Sequence, residues 1–429
     1  MKAFICAIML VVASEAVAQP SSEYKRHVSV VHPQRDLQEL VEIALRENPS
    51  LKDLEAQIEA LKQQVIQAGT WKNPTLSTAY MNAPVDSFNL NEFGMSGIEI
   101  KLSQTVPFLG KTSLRKKVAA NRVKEKKWAL LEKQATLKTL VRKAYYSLSL
   151  TRQLRNITQK HIQLISQFLT SIKYKYEAGK AGQHDLLRLK ILKDELVDNL
   201  EDFDRQEDSL SAAINAALHR PVDTPVKTDL TLKAHNVPLK FEALYSQALE
   251  SRPLVKQLQE EIKTYQAAAK LSRYEAIPDI TTFVSYRYRE RVAGKDDGTD
   301  FATVGFSVPL PLFYSSTFGA QASEKAAKAR AAGARLEELK DQIASGIKRT
   351  LATLNRAYSK AETYRTRLLP DAKTTLDATF SAYQVDRADF ASFYQAELKL
   401  LEFDRALRHA QATTHIAIAE LESLIGEDF

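Results

Sequence analysis

The chain has 429 residues, and its 60 basic against 52 acidic side chains give a formal net charge of +8, a balance suited to anionic lipid or an acidic partner. Its one cysteine, Cys6, lies within the first twenty residues, which excludes a disulfide framework. No later segment runs 18 uninterrupted apolar residues, so no transmembrane helix is expected and any membrane span must be built from β-strands.

In chain order, Lys2, the apolar stretch Ala3 to Ala13 and the small-x-small pattern Ala16-Val17-Ala18 mark residues 1–18 as a cleaved export signal. The mature chain then begins at Gln19, keeps the net charge of the whole, and has no cysteine for thiol chemistry or a lipid anchor. Export also takes it away from nucleic acid. Residues 19–36 are expected to be a flexible N-terminal segment.

From there the placement of Gly and Pro is the most informative feature. Lys111 to Ala178 runs 68 residues without either, Gln183 to Arg220 another 38, and Asp371 to Ile425 another 55. At about 1.5 Å per residue, the first alone would make roughly 100 Å of helix. Leu189, Leu192, Leu196, Phe203, Leu210, Ile214 and Ala217 recur in steps of three and four, a coiled-coil period. His161, Ile165, Phe168 and Ile172 do the same on the preceding segment. Helices this long belong to a tall tube or rod.

The chain also repeats itself. ALRENP at 44–49 returns as ALESRP at 248–253, and the offset of 204 also pairs Pro74 with Pro278. Further on the offset is 207, pairing Tyr176 with Tyr383 and Leu200 with Leu407. Two copies of one unit follow, at 37–220 and 241–429, joined by a linker at 221–240 containing Pro221, Pro225 and Pro238. Each copy carries helix, strand, loop, strand and long helices.

The strands are expected at about 75–81, 98–106, 279–289 and 301–308. Ile98, Ile100 and Leu102 alternate with Glu99, Lys101 and Ser103, and Val284, Tyr286 and Tyr288 alternate with Ser285, Arg287 and Arg289. Period-two alternation with aromatic residues near the ends suits a membrane β-barrel. Four strands cannot close one, because the smallest have about eight and open edges are not tolerated in lipid. Several chains must contribute, and three would supply twelve strands.

The ordered motifs ALRENP, VPFLGK (106–111), YEAGKAGQHDLL (176–187), ALESRP, VPLPLF (308–313), LLP (368–370) and LIG (424–426) resemble the TolC family of outer-membrane efflux proteins from about Leu37 to Gly426. The two strand-to-helix turns, with Pro107 and Gly110 in the first copy and Pro309 and Pro311 in the second, look most like its heavy-metal and small-molecule (CzcC- and CusC-like) branch. The resemblance implies a mostly α fold with membrane β. A long antiparallel α-helical barrel would stand beneath four strands per chain, which complete a trimeric twelve-stranded barrel. It implies an outer-membrane location with a large periplasmic extension. The partners would be two further copies of the chain, outer-membrane lipid, a periplasmic adaptor and an inner-membrane transporter of the RND type. No catalytic residue, cofactor or metal site is expected, and the chain would be a passive duct for small molecules or metal ions.

Family members close their periplasmic end with inward acidic side chains. The helical tips here are expected at Gly179 to Leu187, with Gly179 and Gly182 forming the turn, and at Asp386 to Gln395. Asp185, Asp386 and Asp389 are the candidate gate residues, with Arg188 three residues on as a partner for Asp185. A competing reading makes Asp185 and Asp389 caps of the helices that follow them. GKTS at 110–113 is no phosphate loop, since Thr105 stands where that motif needs glycine. Lys111, Arg115, Lys116, Lys117, Arg122, Lys124, Lys126 and Lys127 read chiefly as a solvated helix face, with the first turns drawn to lipid head groups. The rival functions are a periplasmic adaptor, which carries one hairpin between β-domains, and a structural coiled-coil rod, which needs no alternating strands.

Overall fold

A computed structural model describes residues 35–82, 84–229, 231–234 and 240–428. The export signal, residues 19–34 and the linker proline Pro238 lie outside the described residues. The first copy comprises α1 (Arg35–Glu47), α2 (Pro49–Gly69), β1 (Thr75–Met81), β2 (Gly97–Val106), α3 (Lys111–Glu177) and α4 (Gln183–Ala217). The second comprises α5 (Phe241–Ser251), α6 (Pro253–Glu275), β3 (Ile280–Tyr288), β4 (Phe301–Ser307), α7 (Ala320–Thr363), α8 (Leu369–Gln384) and α9 (Phe390–Ile425). None of the described helices is long and apolar enough to cross a membrane.

The duplicated motif places Pro49 and Pro253 in the first turn of α2 and α6, where a missing N–H costs nothing and the fixed φ already suits a helix. The two caps differ. Asn48 accepts from Ser50 N at 3.0 Å and donates to Ala217 O at 2.8 Å. Arg252 lacks a side-chain acceptor and reaches across to Glu132, which also accepts from Leu254 N at 3.1 Å.

α3 has 67 residues, roughly 100 Å of unbroken helix, and the rest is arranged along it. In the half nearer the sheet the packing order is α2, α3, α6, α7; in the far half it is α4, α3, α9, α8. The antiparallel sheet has the order β1-β2-β3-β4, so the β2–β3 ladder joins the two copies. The core is drawn out into strips. One joins α1, α3 and α4, a second lies among α3, α4, α8 and α9 around Phe168 and Phe393, and a third among α5, α6, α7 and α9. The described part of the linker is held to the helices: Arg152 donates to Val226 O and Thr228 Oγ1, both at 2.8 Å, and His415 Nε2 lies 2.8 Å from Lys233 O.

The sheet register sorts the side chains by face. Leu76, Leu102, Val284 and Val304 stand in one row across all four strands, and all four are exposed. The row one residue on, which points to the other side, is Ser77, Lys101, Ser285 and Thr303. On that polar face Arg287 donates to Glu99 at 3.0 Å, and Lys101 Nζ lies 4.0 Å from the Phe283 ring centre. One face is built for oil and the other for water.

Two π-helical segments interrupt the second copy, at Ser315–Gly319 and Tyr364–Leu368. The second lies just before Pro370, in the first turn of α8. A proline ring inside a helix clashes with the carbonyl four residues back, and a locally widened turn relieves that contact. α7 therefore runs on into α8.

If the apolar row meets lipid, Leu102→Arg should destabilise the folded protein in bilayers by about 2–4 kcal/mol, whereas Ser285→Arg on the polar face should cost much less. Equal losses in a denaturant titration would contradict the assignment of faces.

Candidate functional site: helical tips and strand-to-helix turns

At the first tip, α3 ends in a turn at Ala178 to Gly182. Gly179 has φ +70° with open space around it, so the backbone conformation is what glycine supplies there. Gly182 is extended, at φ −82° and ψ 149°, and forms the N-cap of α4. Asp185 accepts from Gly182 N at 3.4 Å and lies 3.1 Å from His184 Nε2. Its carboxylate thus serves the start of its own helix, and the side chain beside it is the His184 imidazole where Arg188 was expected.

At the second tip, Asp386 occupies the position that matches Gly179 and keeps the same left-handed backbone, at φ +60°. A non-glycine residue there carries strain, which its side chain offsets. Asp386 binds Lys175, at the end of α3, and Lys180, at 3.3 Å in the first tip. Lys175 is largely buried, donates to Tyr383 O as well, and lies 4.5 Å from the centre of the Tyr383 ring. Hydrogen bonds from Lys175 and then Lys180 hold the Asp386 carboxyl below its usual range. Asp389 is the N-cap of α9, accepting from Ser392 N at 2.9 Å. The three acidic candidates therefore differ in kind: Asp185 and Asp389 bond their own helix starts, while Asp386 ties the second copy to the first.

Behind the tips sits an aromatic core. Phe168 packs on Phe380 and Phe393 at 4.4 and 4.6 Å between ring centres, and Tyr383 stacks on Phe393 at 6.0 Å. Further up, His161 Nδ1 lies 2.7 Å from Glu397 Oε1, a fully buried carboxylate. The sequence pattern placed His161 in the helix core without revealing its partner. Among the described residues no group of three or more His, Cys, Asp or Glu side chains could hold a metal ion.

At the sheet end, Gly110 takes φ +91°, and Lys111 N donates to Phe108 O at 3.1 Å, turning the chain from β2 into α3 just after Pro107. The second-copy turn, after Pro309 and Pro311, has no such glycine and enters α7 through the π segment at Ser315–Gly319. Here the expected solvated basic face needs a correction. Lys111 is only 2% exposed, and its ammonium meets Asp279 at 2.7 Å and Glu275 at 3.8 Å. Arg115 grips Glu275 through two bonds of 2.8 and 2.9 Å, and Asp279 also accepts from Phe108 N at 3.0 Å. These first two basic residues bind the two copies together instead of reaching for lipid.

Two outcomes follow from this geometry. Asp279→Ala leaves a buried ammonium short of its nearest partner and should cost on the order of 3 kcal/mol in thermal or chemical unfolding. Lys111→Met, which replaces the charge with apolar volume, should cost distinctly less, and the reverse ranking would refute the role given to the pair. The pH dependence of the Asp386 tie has a definite sign. Because the folded-state pKa is lowered, the stabilisation is complete above the ordinary carboxylate value of about 4. It is lost as the pH falls through the lowered value. Spin labels at Tyr174 and Val385 should therefore keep their distance at pH 5 and separate only below about pH 4; separation already complete at pH 6 would contradict the tie.

The family model "Outer membrane efflux protein" matches residues 40–218 and 244–427, one segment in each copy. No curated protein sequence matches. Among solved structures, the outer membrane protein VceC from Vibrio cholerae aligns with a TM-score of 0.77 at 16% identity, covering 92% of this chain and 98% of that one. The outer-membrane channel OprN gives 0.77 at 14% identity, with coverages of 91% and 90%. The CmeC outer membrane channel of Campylobacter jejuni gives 0.75 at 12% identity, with coverages of 91% and 86%. Identities this low speak for the fold. Proteins of this family and these structural neighbours are passive channels rather than enzymes.

Proposed function

Because the chain belongs to the outer membrane efflux protein family, we propose that it is the outer-membrane duct of a tripartite efflux system, assembled from three copies. The carrying observation is the four-stranded sheet: β1 and β4 each pair on one side only, and one face is an exposed apolar row. In hydrocarbon every unpaired backbone N–H and C=O costs several kcal/mol, so such a sheet needs neighbours at both edges. The two free edges belong to different strands, so the contact is head-to-tail and closes as a ring. Three copies give a twelve-stranded barrel, and the order of helices beneath the sheet favours a hollow α-helical extension into the periplasm.

The duct would pass small molecules or metal ions received from a periplasmic adaptor and an inner-membrane transporter of the RND type. The two equivalent hairpins and two strand pairs argue against an adaptor, and the alternating sheet against a coiled-coil rod. Asp185, Asp386 and Asp389 are the candidate constriction. Among them Asp386 is the proposed latch, since its partners Lys175 and Lys180 come from the other copy's hairpin.

Native mass measurement of the detergent-extracted protein should give a trimer, and planar bilayers should show low resting conductance. Asp386→Ala should raise that conductance several-fold, while Asp389→Ala should loosen the start of α9 with little change in current. A stable monomer with intact strand content would refute the duct, and unchanged conductance in Asp386→Ala would refute the latch.

A further inference from the structure

Several cations near the helix contacts of the second copy are matched with carboxylates: Arg365 is bound to Glu362 and Arg408 to Asp404. One stretch departs from this. Arg349, Arg356 and Lys360 of α7 and Arg405 and His409 of α9 line two adjoining grooves of about 520 and 450 Å³, which share Lys360 and His409. The single carboxylate in their lining, Glu402, is bound to Lys399 at 2.7 Å. Among the described residues none of the five basic groups enters an ion pair. Arg405 makes one bond, to Thr158 at 3.0 Å, and its Nε is buried without an acceptor. Lys360 Nζ lies 5.4 Å from the centre of the Tyr364 ring. Burial, with Lys360 and Arg405 nearby, pushes the His409 imidazole down, as uncompensated positive charge should.

The opposite imbalance stands on α4. Residues 194–208 hold eight carboxylates against one arginine. The core side of this helix, with Leu189, Leu192 and Leu196, is buried, whereas Asp194, Asp198, Glu201 and Asp208 are exposed and none of these four enters an ion pair among the described residues. The two stretches lie at the same height on α3, because Arg405 meets Thr158 and Asp204 meets Arg155 at 2.8 Å. They also lie on opposite flanks of the helical layer, α4 at one edge and α7 with α8 at the other.

We infer that the basic groove of α7 and α9 receives the acidic face of α4 from a second copy of this chain. The inference rests on the head-to-tail assembly proposed above and names an electrostatic contact that fixes its register. Like charges facing each other would penalise a slipped or head-to-head arrangement, and opposite charges brought level attract. Such a contact weakens as salt rises.

The test uses the full-length protein in detergent, with assembly followed by native mass measurement across a dilution and salt series. Glu201→Lys/Asp208→Lys and, separately, Arg356→Glu/Lys360→Glu should each weaken assembly by about tenfold or more. Carrying all four substitutions in one chain should restore it, since every contact then contains the exchanged pair. Arg356→Gln/Lys360→Gln should show an intermediate loss, and circular dichroism at native helix content guards against misfolding. A trimer indifferent to both reversals, or losses that add in the combined variant, would overturn the contact while leaving the duct intact. Unchanged assembly with lost binding of a periplasmic partner would assign the groove to that partner and overturn it equally. A monomeric unmodified protein would bring down the assembly itself.

Discussion

Backbone amides at the two margins of a four-stranded sheet have no partner within one chain, and much of the architecture answers to that constraint. A sheet with one apolar face cannot bury its margins by curling on itself at this width. In the proposed assembly it is extended by neighbours, and the helices then have to follow the strands in the same lateral order. They do: α2, α3, α6 and α7 flank one another as β1, β2, β3 and β4 do. Sheet and helical layer thus share their open sides, and whatever closes one closes the other. The Lys111, Arg115, Glu275 and Asp279 cluster sits where the two layers meet and fixes the passage from strand to helix in both copies at once.

Duplication gives the two halves of the chain one plan, and their departures from it are informative. Asn48 caps its helix with its own side chain, whereas Arg252 at the equivalent position turns to Glu132 of the other half. Gly179 makes a tip turn without strain, whereas Asp386 adopts the same backbone and reaches Lys175. Gly110 turns a strand into a helix directly, whereas the second copy uses a π segment. In two of these three places the second copy has exchanged a local solution for a bond to the first. Identical halves could not recognise each other in this way.

Much of this plan was legible from residue order. The run from Lys111 to Ala178 without Gly or Pro became α3, ending at Glu177, because nothing in it interrupts a helix. Alternation in residues 98–103 and 284–289 gave the two sheet faces, because side chains of a strand point up and down in turn. The acidic tip residues were visible, as was the capping alternative for Asp185 and Asp389. Hidden were the partners that lie far off in the chain: Asp279 for Lys111, Lys175 for Asp386 and Glu397 for His161. Nothing local distinguishes a lysine that will be buried against an aspartate 168 residues away from its solvated neighbours. The π segment before Pro370 was hidden for a different reason, since a proline in a helical run reads as a boundary until neighbouring packing shows that the helix continues.

The unequal backbones of the two hairpins have a mechanical consequence. In the first, α3 is a single strut about nineteen turns long, so a bend spread along it amounts to a small rotation per turn and stores strain elastically. In the second, the widened turn at Tyr364–Leu368 loosens the regular bond ladder at one height and concentrates compliance there, as a knee does beside a spring. A force applied at the tips would flex the first hairpin throughout its length but pivot the second near residue 366. Movement of the two would then be out of step, and Lys175–Asp386, which joins their ends, would take up the difference.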